Sequence, residues 1–445
     1  MYQGKRFVVV GLGKTGFALA KFLYQKGAKV VVSDQSPLEQ LTPKVEELIS
    51  LGIEIEAGGH KEETFLKADG IVLSPGVSPH LPVLKHVMAK GIPVLGELDI
   101  VSPHLPCPVI AITGTNGKTT TTTILGKLLR AAGKKVWVGG NIGTPLIEAL
   151  KEQNLDFIVA EVSSFQLETT TYFHPFVAIC LNVTEDHLDR HGSLEVYRQC
   201  KLKIGQRQTE NDWFIFDGDN PALTEAAVVL KSKKLPFGAK KNSCCLKAYL
   251  EKEKIIITLK ERWEIPTEGL KLKGMHNYKN IMAALLVAQI TGCKLAQIEQ
   301  ALRQFQGLPH RLEWVRSLNG VNFYNDSKAT NVSATLAALE SLEPPIVLIA
   351  GGLGKNQDFI PLGPALRQKT KAVVLLGEDA PKIAAVSQQY IPTFIVSDLK
   401  TAVKKAWELA RPKGQVLLSP ACASFDMFKD YQERGERFKE EVYAL

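Results

Sequence analysis

Short apolar runs alternate with amphipathic stretches along the chain. Arg6–Val10 reads as a buried strand, Gly16–Gly27 has helical spacing and ends on a glycine, and Lys29–Ser33 and Ile71–Leu73 are further strands. This alternation predicts a parallel sheet with covering helices, running to about Glu97. Pro103–Pro108 suits a linker. Val109–Thr113 is then a strand, a Gly-rich turn follows, and a long Thr-rich helix starts near Lys118. Phe157–Glu161 and Val177–Asn182 have the character of buried strands ending in polar residues, and helical patterning returns at Tyr278–Thr291 and Leu295–Phe305. This second unit has room for roughly nine or more strands. Gly307–Arg311 reads as a second linker. Beyond it, strands at Val321–Tyr324, Pro345–Ala350, Ala372–Leu376, Thr393–Val396 and Gln415–Leu418, mostly separated by helices, predict a third, doubly wound unit. No internal repeat or low-complexity tract interrupts the pattern.

Composition narrows this picture only a little. The 445 residues allow roughly two to four domains. Hydrophobic and charged fractions of 45% and 22% fit an ordinary soluble globular protein, so no unusual class need be considered. A net charge of +8 favours anionic ligands such as nucleotides or phosphosugars, although a basic proteome average would give the same value. Lys and Arg are scattered, apart from short clusters such as Lys231–Lys234, with no basic tail or aromatic-basic interleaving, so no nucleic-acid partner is expected. The seven cysteines (Cys107, Cys180, Cys200, Cys244, Cys245, Cys293 and Cys422) are odd in number and form no metal-spaced CxxC pair. They read as free thiols of a reducing compartment. The start runs directly into a strand, and no apolar run is long enough to span a bilayer. A cytoplasmic monomer with no membrane partner is the expectation.

The strongest chemical signal is Val109-Ile-Ala-Ile-Thr-Gly-Thr-Asn-Gly-Lys-Thr-Thr120. A buried strand feeds Gly114, Thr115, Asn116 and Gly117, with Lys118, Thr119 and Thr120 opening a helix. Glycines let the backbone N–H groups turn toward phosphate oxygens, and the helix N-terminus adds positive potential. Lys118 would reach the β- and γ-phosphates of ATP, and the Thr119 hydroxyl would bind Mg²⁺. Ile112 stands where the general pattern wants a further glycine. Glu161 ends a strand at a sheet edge where ligands bind in open α/β folds, and can hold Mg²⁺ there. His187 lies in a polar loop past the next strand; alone it reads as a structural histidine as readily as a ligand, and its position at the same edge favours the ligand. Nothing in composition singles out Lys201 on the following helix.

In order and spacing, GTNGKTT, EVSSFQLE, NVTEDHLDRHGS, Tyr197-xxx-Lys201, His276-Asn277 and LPHRLE together resemble the Mur ligase family over essentially the whole chain. The resemblance implies an α/β fold in three domains: a Rossmann-like UDP-binding domain at 1–97, a central P-loop ATPase-like domain with a mostly parallel sheet at 98–308, and a Rossmann-like amino-acid-binding domain at 309–445. It implies that Lys201 is carbamylated, which requires a neutral amine and hence a depressed pKa. Two Mg²⁺ ions would fall at Thr119 with Glu161, and at His187 with modified Lys201. Asn277 and Asn280 would lie on the adenine side of ATP, with Arg311 and Asp326 toward its γ-phosphate and ribose; Asn141, Gln166 and His187 would meet the muramoyl end. Asn325-Asp-Ser-Lys-Ala-Thr-Asn331 and Ser419-Pro-Ala-Cys-Ala-Ser-Phe-Asp426 resemble the members that add D-glutamate to UDP-N-acetylmuramoyl-L-alanine, unlike those adding diaminopimelate, alanine or a dipeptide. That likeness assigns D-glutamate to Lys328, Thr330, Ser424 and Phe425, assisted by Lys355. A dianionic amino acid does want ammonium groups, hydroxyls and N–H donors together. The implied catalytic set is Lys118, His187, Lys201 and Lys328, acting through an acyl phosphate.

Two other readings remain open at this level. Gly11-Leu-Gly-Lys-Thr-Gly16, with Asp34 ending the next strand, satisfies a dinucleotide fingerprint and alone would indicate an NAD-dependent oxidoreductase. The second loop at 114–119 argues for a triphosphate instead, and a UDP-sugar carries the diphosphate that the first turn would bind. The resemblance places Leu12, Thr15, Asp34, Ser74 and Gly76 there, with Gln35 standing where a small hydroxyl residue is expected. A non-catalytic nucleotide-binding module would have lost Mg²⁺ ligands, and all four are present. Another Mur-type or folylpolyglutamate-type ligase is the alternative within the same chemistry.

Overall fold

The computed structural model describes residues 1–41, 44–240 and 245–445, so Cys244 lies outside the described residues. The described residues form three sheets, with the helices that flank them. In the first, five parallel strands run in the order Glu54–Ala57, Lys29–Asp34, Arg6–Val10, Gly70–Leu73, Val94–Gly96. The order reverses between Arg6–Val10 and Gly70–Leu73, which is the crevice where ligands sit in such sheets.

The central sheet has nine strands, in the order Arg262–Pro266, Lys254–Thr258, Ala248–Glu251, Lys233–Lys240, Trp213–Asp217, Val177–Cys180, Val109–Thr113, Phe157–Glu161, Val136–Gly140. The first two pairings are antiparallel and the rest parallel. The strand expected over Val177–Asn182 stops at Cys180, because the Asn182 main chain and side chain leave the ladder to hold the loop after Val109–Thr113. The helix expected from Tyr278 begins at Met275 and is buried on all sides, which its run of Ala and Leu permits. It packs on the Thr-rich helix Lys118–Ala131, whose β-branched residues disfavour a helix in isolation and are held by that burial.

The third sheet runs Glu313–Leu318, Val321–Asn325, Gly414–Leu418, Ile346–Ala350, Thr370–Leu375, Thr393–Ile395, parallel except for its first edge pair. Its two faces carry separate apolar clusters made wholly of residues beyond 311. By contrast, one apolar cluster runs without a break from Phe7 and Leu19 through Leu98 and Ile100 to Val109 and Ile158, joining the first and central units.

Candidate active site

The strand Val109–Thr113 is wholly buried and delivers the chain into Gly114–Gly117. Gly117 caps the following helix at φ +84°, and a Cβ there would overlap the Asn280 side chain. The loop is fixed from the neighbouring strand end: the N–H of Thr115 donates to the Asn182 carbonyl at 3.0 Å, and that of Asn116 to Asn182 Oδ1 at 2.8 Å. Lys118 Nζ donates to the carbonyls of Gly114 (2.8 Å) and Thr115 (2.7 Å). Lys201, only 1% exposed, donates to the same Gly114 carbonyl at 2.8 Å. Two ammonium groups thus share one acceptor. Burial, then the neighbouring Lys118, lowers the Lys201 pKa to about 7; burial lowers that of Lys118 as well.

Glu161 is buried at the end of its strand, where Asn141 Nδ2 donates to Oε1 at 2.7 Å. The other carboxylate oxygen, Oε2, is buried with no hydrogen-bond partner. His187 is held at φ +54° with its ring edge-on to Phe165 at 4.8 Å. Burial lowers its pKa to about 4, against the pull of Asp186, so near neutral pH the imidazole is uncharged. A buried orphan carboxylate oxygen and a neutral imidazole fit a divalent cation. Among the described residues no three His, Cys, Asp or Glu side chains cluster as a ready-made metal site. A cation here therefore needs oxygens from Thr119, from phosphate, or from a carbamate on Lys201.

Two cavities meet at the loop. One is walled by Phe237, Leu272, Met275 and Ala338 and by the polar residues Thr120, His276, Asn277, Asn280 and Asp326. The other is lined by Thr115, Lys118, Thr119, Asn141, Glu161, His187, Thr330, Lys355, Ser424 and Phe425. Asn116, Gly117, Arg311 and Lys328 line both. The site thus has one lobe with mixed apolar and polar walls and one walled mostly by polar and charged side chains, with the loop as the sill between them. Lys328 lies 3.6 Å over the Tyr431 ring, and burial, then Arg311, lowers its pKa to about 7. Buried Asp326 is raised to about 7 despite the hydroxyl of Ser419 (2.9 Å) and the N–H of Leu312 (3.0 Å).

Residues from both sides of the 308–311 segment build this cleft. Asn116 Nδ2 donates to Ser333 Oγ at 2.7 Å, Asn331 Nδ2 to Asp186 Oδ2 at 3.1 Å, and Lys355 pairs with Asp186 at 2.9 Å. Asp186, Asn331, Ser333 and Tyr431 were not singled out from sequence. Asp186 and Asn331 sit inside motifs quoted for their neighbours; nothing local marks Ser333 or Tyr431. Gln166 does not line the cleft: its amide donates to Glu97 at 3.1 Å, and its carbonyl oxygen caps the helix Ser164–Glu168 through Ser163.

The N-terminal turn lies elsewhere. Gly11 sits at φ +90°, and a Cβ on Gly16 would overlap the Gly11 carbonyl, so both positions need glycine. Ser74 Oγ donates to the Gly11 carbonyl at 2.6 Å, bringing Leu12, Thr15, Ser74 and Gly76 to the sheet's switch point. Asp34 accepts from the N–H groups of Leu12 (2.6 Å) and Ser36 (2.8 Å), so each carboxylate oxygen is already engaged by main chain. That weighs against the ribose clamp a nicotinamide dinucleotide site needs.

Comparison with known proteins follows the same division. The family model described as Mur ligase MurD-like, N-terminal domain matches residues 5–96, Mur ligase middle domain matches 112–288, and Mur ligase, glutamate ligase domain matches 310–422. The UDP-N-acetylmuramoylalanine--D-glutamate ligase of Geotalea uraniireducens is 42% identical over 443 residues, covering 99% of this chain and 98% of that one. The ligase of the same name from Koribacter versatilis is 44% identical, covering 100% and 98%. Among solved structures, UDP-N-acetylmuramate-alanine ligase MurC of Thermotoga maritima superposes with a TM-score of 0.58 at 20% identity, covering 99% of each chain. MurF ligase of the same organism, in complex with ADP, gives 0.59 at 18% identity, covering 100% of this chain and 96% of that one. With matches in all three domains and full-length relatives above 40% identity, the chain belongs to the Mur ligase family.

Proposed function

We propose that this ligase joins D-glutamate to the L-alanyl carboxylate of UDP-N-acetylmuramoyl-L-alanine at the expense of ATP, in the cytoplasmic synthesis of peptidoglycan precursors. The observation that carries the reading is the pair of lobes meeting at Asn116 and Gly117, with Arg311 and Lys328 also common to both. A nucleotide in the lobe walled by Phe237, Leu272, Met275, Asn277 and Asn280 would hold its γ-phosphate at the sill, where an acid in the other lobe can receive it. The curated relatives carry this activity in their names. Among the described residues no helix is long and apolar enough to cross a membrane. We take the chain to act as a monomer, with domain junctions at 97–98 and 308–309.

A carboxylate is a poor electrophile until phosphorylated. The γ-phosphoryl passes to the L-alanyl carboxylate, giving an acyl phosphate and ADP; the D-glutamate amine then attacks and phosphate leaves. Lys118 and Arg311 lower the repulsion between the anions, and Lys328, Thr330, Lys355, Ser424 and Phe425 hold the incoming amino acid. Thr119, Glu161, His187 and, once carbamylated, Lys201 would hold two magnesium ions, whose charge would offset that of the phosphate oxygens. Phosphate release should require ATP, Mg²⁺ and UDP-N-acetylmuramoyl-L-alanine, and should appear with D-glutamate but not with L-glutamate, L-lysine, diaminopimelate or L-alanine; excess EDTA should abolish it. Release with another amino acid would sink the specificity, and reduction of NAD without phosphate would sink the whole reading.

A further inference from the structure

Arg190, on the turn of helix just after His187, joins the loop beside the N-terminal turn to the Phe165 ring that packs on His187. Its Nη2 donates to the Val77 carbonyl at 3.0 Å and its Nη1 to the Gly76 carbonyl at 3.4 Å. Those carbonyls belong to the loop that Ser74 ties to the Gly11 turn. Nε and Nη2 also grip Glu168 Oε2, at 2.9 and 2.8 Å. The guanidinium carbon lies 4.3 Å from the centroid of Phe165, and that ring meets the His187 ring edge-on at 4.8 Å. Arg190 and Glu168 are nearly buried, at 13% and 14% side-chain exposure, so water screens the pair little. Only a planar guanidinium can donate in its plane to one domain and stack its face on an aromatic ring in another.

We propose that Arg190 is a positioning residue that transmits occupancy of the N-terminal turn to His187 through Phe165. The inference rests on the reading that this turn binds a uridine diphosphate. A diphosphate settling on Gly11–Gly16 orders the adjoining Ser74–Val77 loop. Arg190 is then held by two fixed carbonyls, Phe165 is pinned beneath it, and the His187 ring is fixed from one side. The reaction lobe is thereby set only when the far end of the substrate is seated.

Hydrogen exchange of the full chain, with UDP as the probe, tests this without any turnover. In the unmodified protein UDP should slow exchange in both 74–77 and 184–191, the second on the order of tenfold. In Arg190→Met the slowing should survive at 74–77 and vanish at 184–191. Should that variant not fold, Phe165→Leu leaves the Arg190 hydrogen bonds to Gly76, Val77 and Glu168 in place, removes only the ring between Arg190 and His187, and should show the same split. Protection of 74–77 alone in the unmodified protein, or protection of 184–191 that survives both substitutions, overturns the inference and leaves the ligase reading standing. Protection of neither segment removes the uridine site, and this inference falls with it.

Discussion

Lys118 neutralises its own loop by donating to two carbonyls, and an arriving triphosphate must draw that ammonium away. Its replacement by alanine should lower turnover at least a hundredfold, in line with roughly 3–4 kcal/mol for one electrostatic stabiliser of a transition state. Phosphate release measured beside an unchanged circular dichroism spectrum checks this; near-normal turnover contradicts it. Lys328 yields a second expectation. With its pKa lowered to about 7, the amine is charged below pH 7 and increasingly neutral above. An anionic amino acid pairs with the ammonium form, so binding at pH 8 should take up close to one proton by the linkage of pKa to binding, and binding at pH 6 almost none. Calorimetry of D-glutamate binding in buffers of different ionisation enthalpy reads the uptake; equal heats at pH 8 would contradict it. At this scale Gly114–Thr120 is legible from its own local pattern, whereas residues such as Lys201 and Lys328 are singled out only by the family resemblance, their neighbours being distant in sequence. Tyr431 and Ser333 escape because they reach the cleft only through tertiary packing.

Elements were legible where their apolar runs are continuous. Val109–Thr113 and Phe157–Glu161 have the expected bounds because both faces of a central strand are covered. The antiparallel strands Lys254–Thr258 and Arg262–Pro266 are not among the strands read from sequence: each is five residues long, and so short a run does not by itself tell a strand from a helix. Gln166 is a different case: it stands in a legible motif, while its polar atoms bond the helix cap and Glu97. Gly117 makes the element scale testable. Alanine there would meet both the left-handed backbone and the Asn280 side chain. The expected cost is about 1–2 kcal/mol of folding stability from the backbone alone, with weakened ADP binding as Asn280 is displaced. Denaturant unfolding and ADP titration check the two effects; unchanged values for both would contradict it.

For the whole molecule, the distribution of apolar clusters decides which part can move. The first two units share one cluster, whereas the third keeps its own two and meets the centre through polar pairs such as Asp186–Lys355 and Asn116–Ser333. A thin polar contact can open and re-form at modest cost. Acyl phosphates hydrolyse in water, so closure before activation is expected. X-ray scattering should therefore show a more compact particle with a non-hydrolysable ATP analogue and UDP-N-acetylmuramoyl-L-alanine than without them. Superimposable curves would refute it.

The shared sill has a consequence for inhibition. A compound carrying a flat heteroaromatic ring on one arm and a diacid on the other, tethered across Gly117, would touch Arg311 and Lys328 from both sides. A resistance mutation at either cation would have to weaken the drug without weakening nucleotide and amino acid together. Few escape routes satisfy that demand, which makes this stretch of wall a better target than either chamber alone.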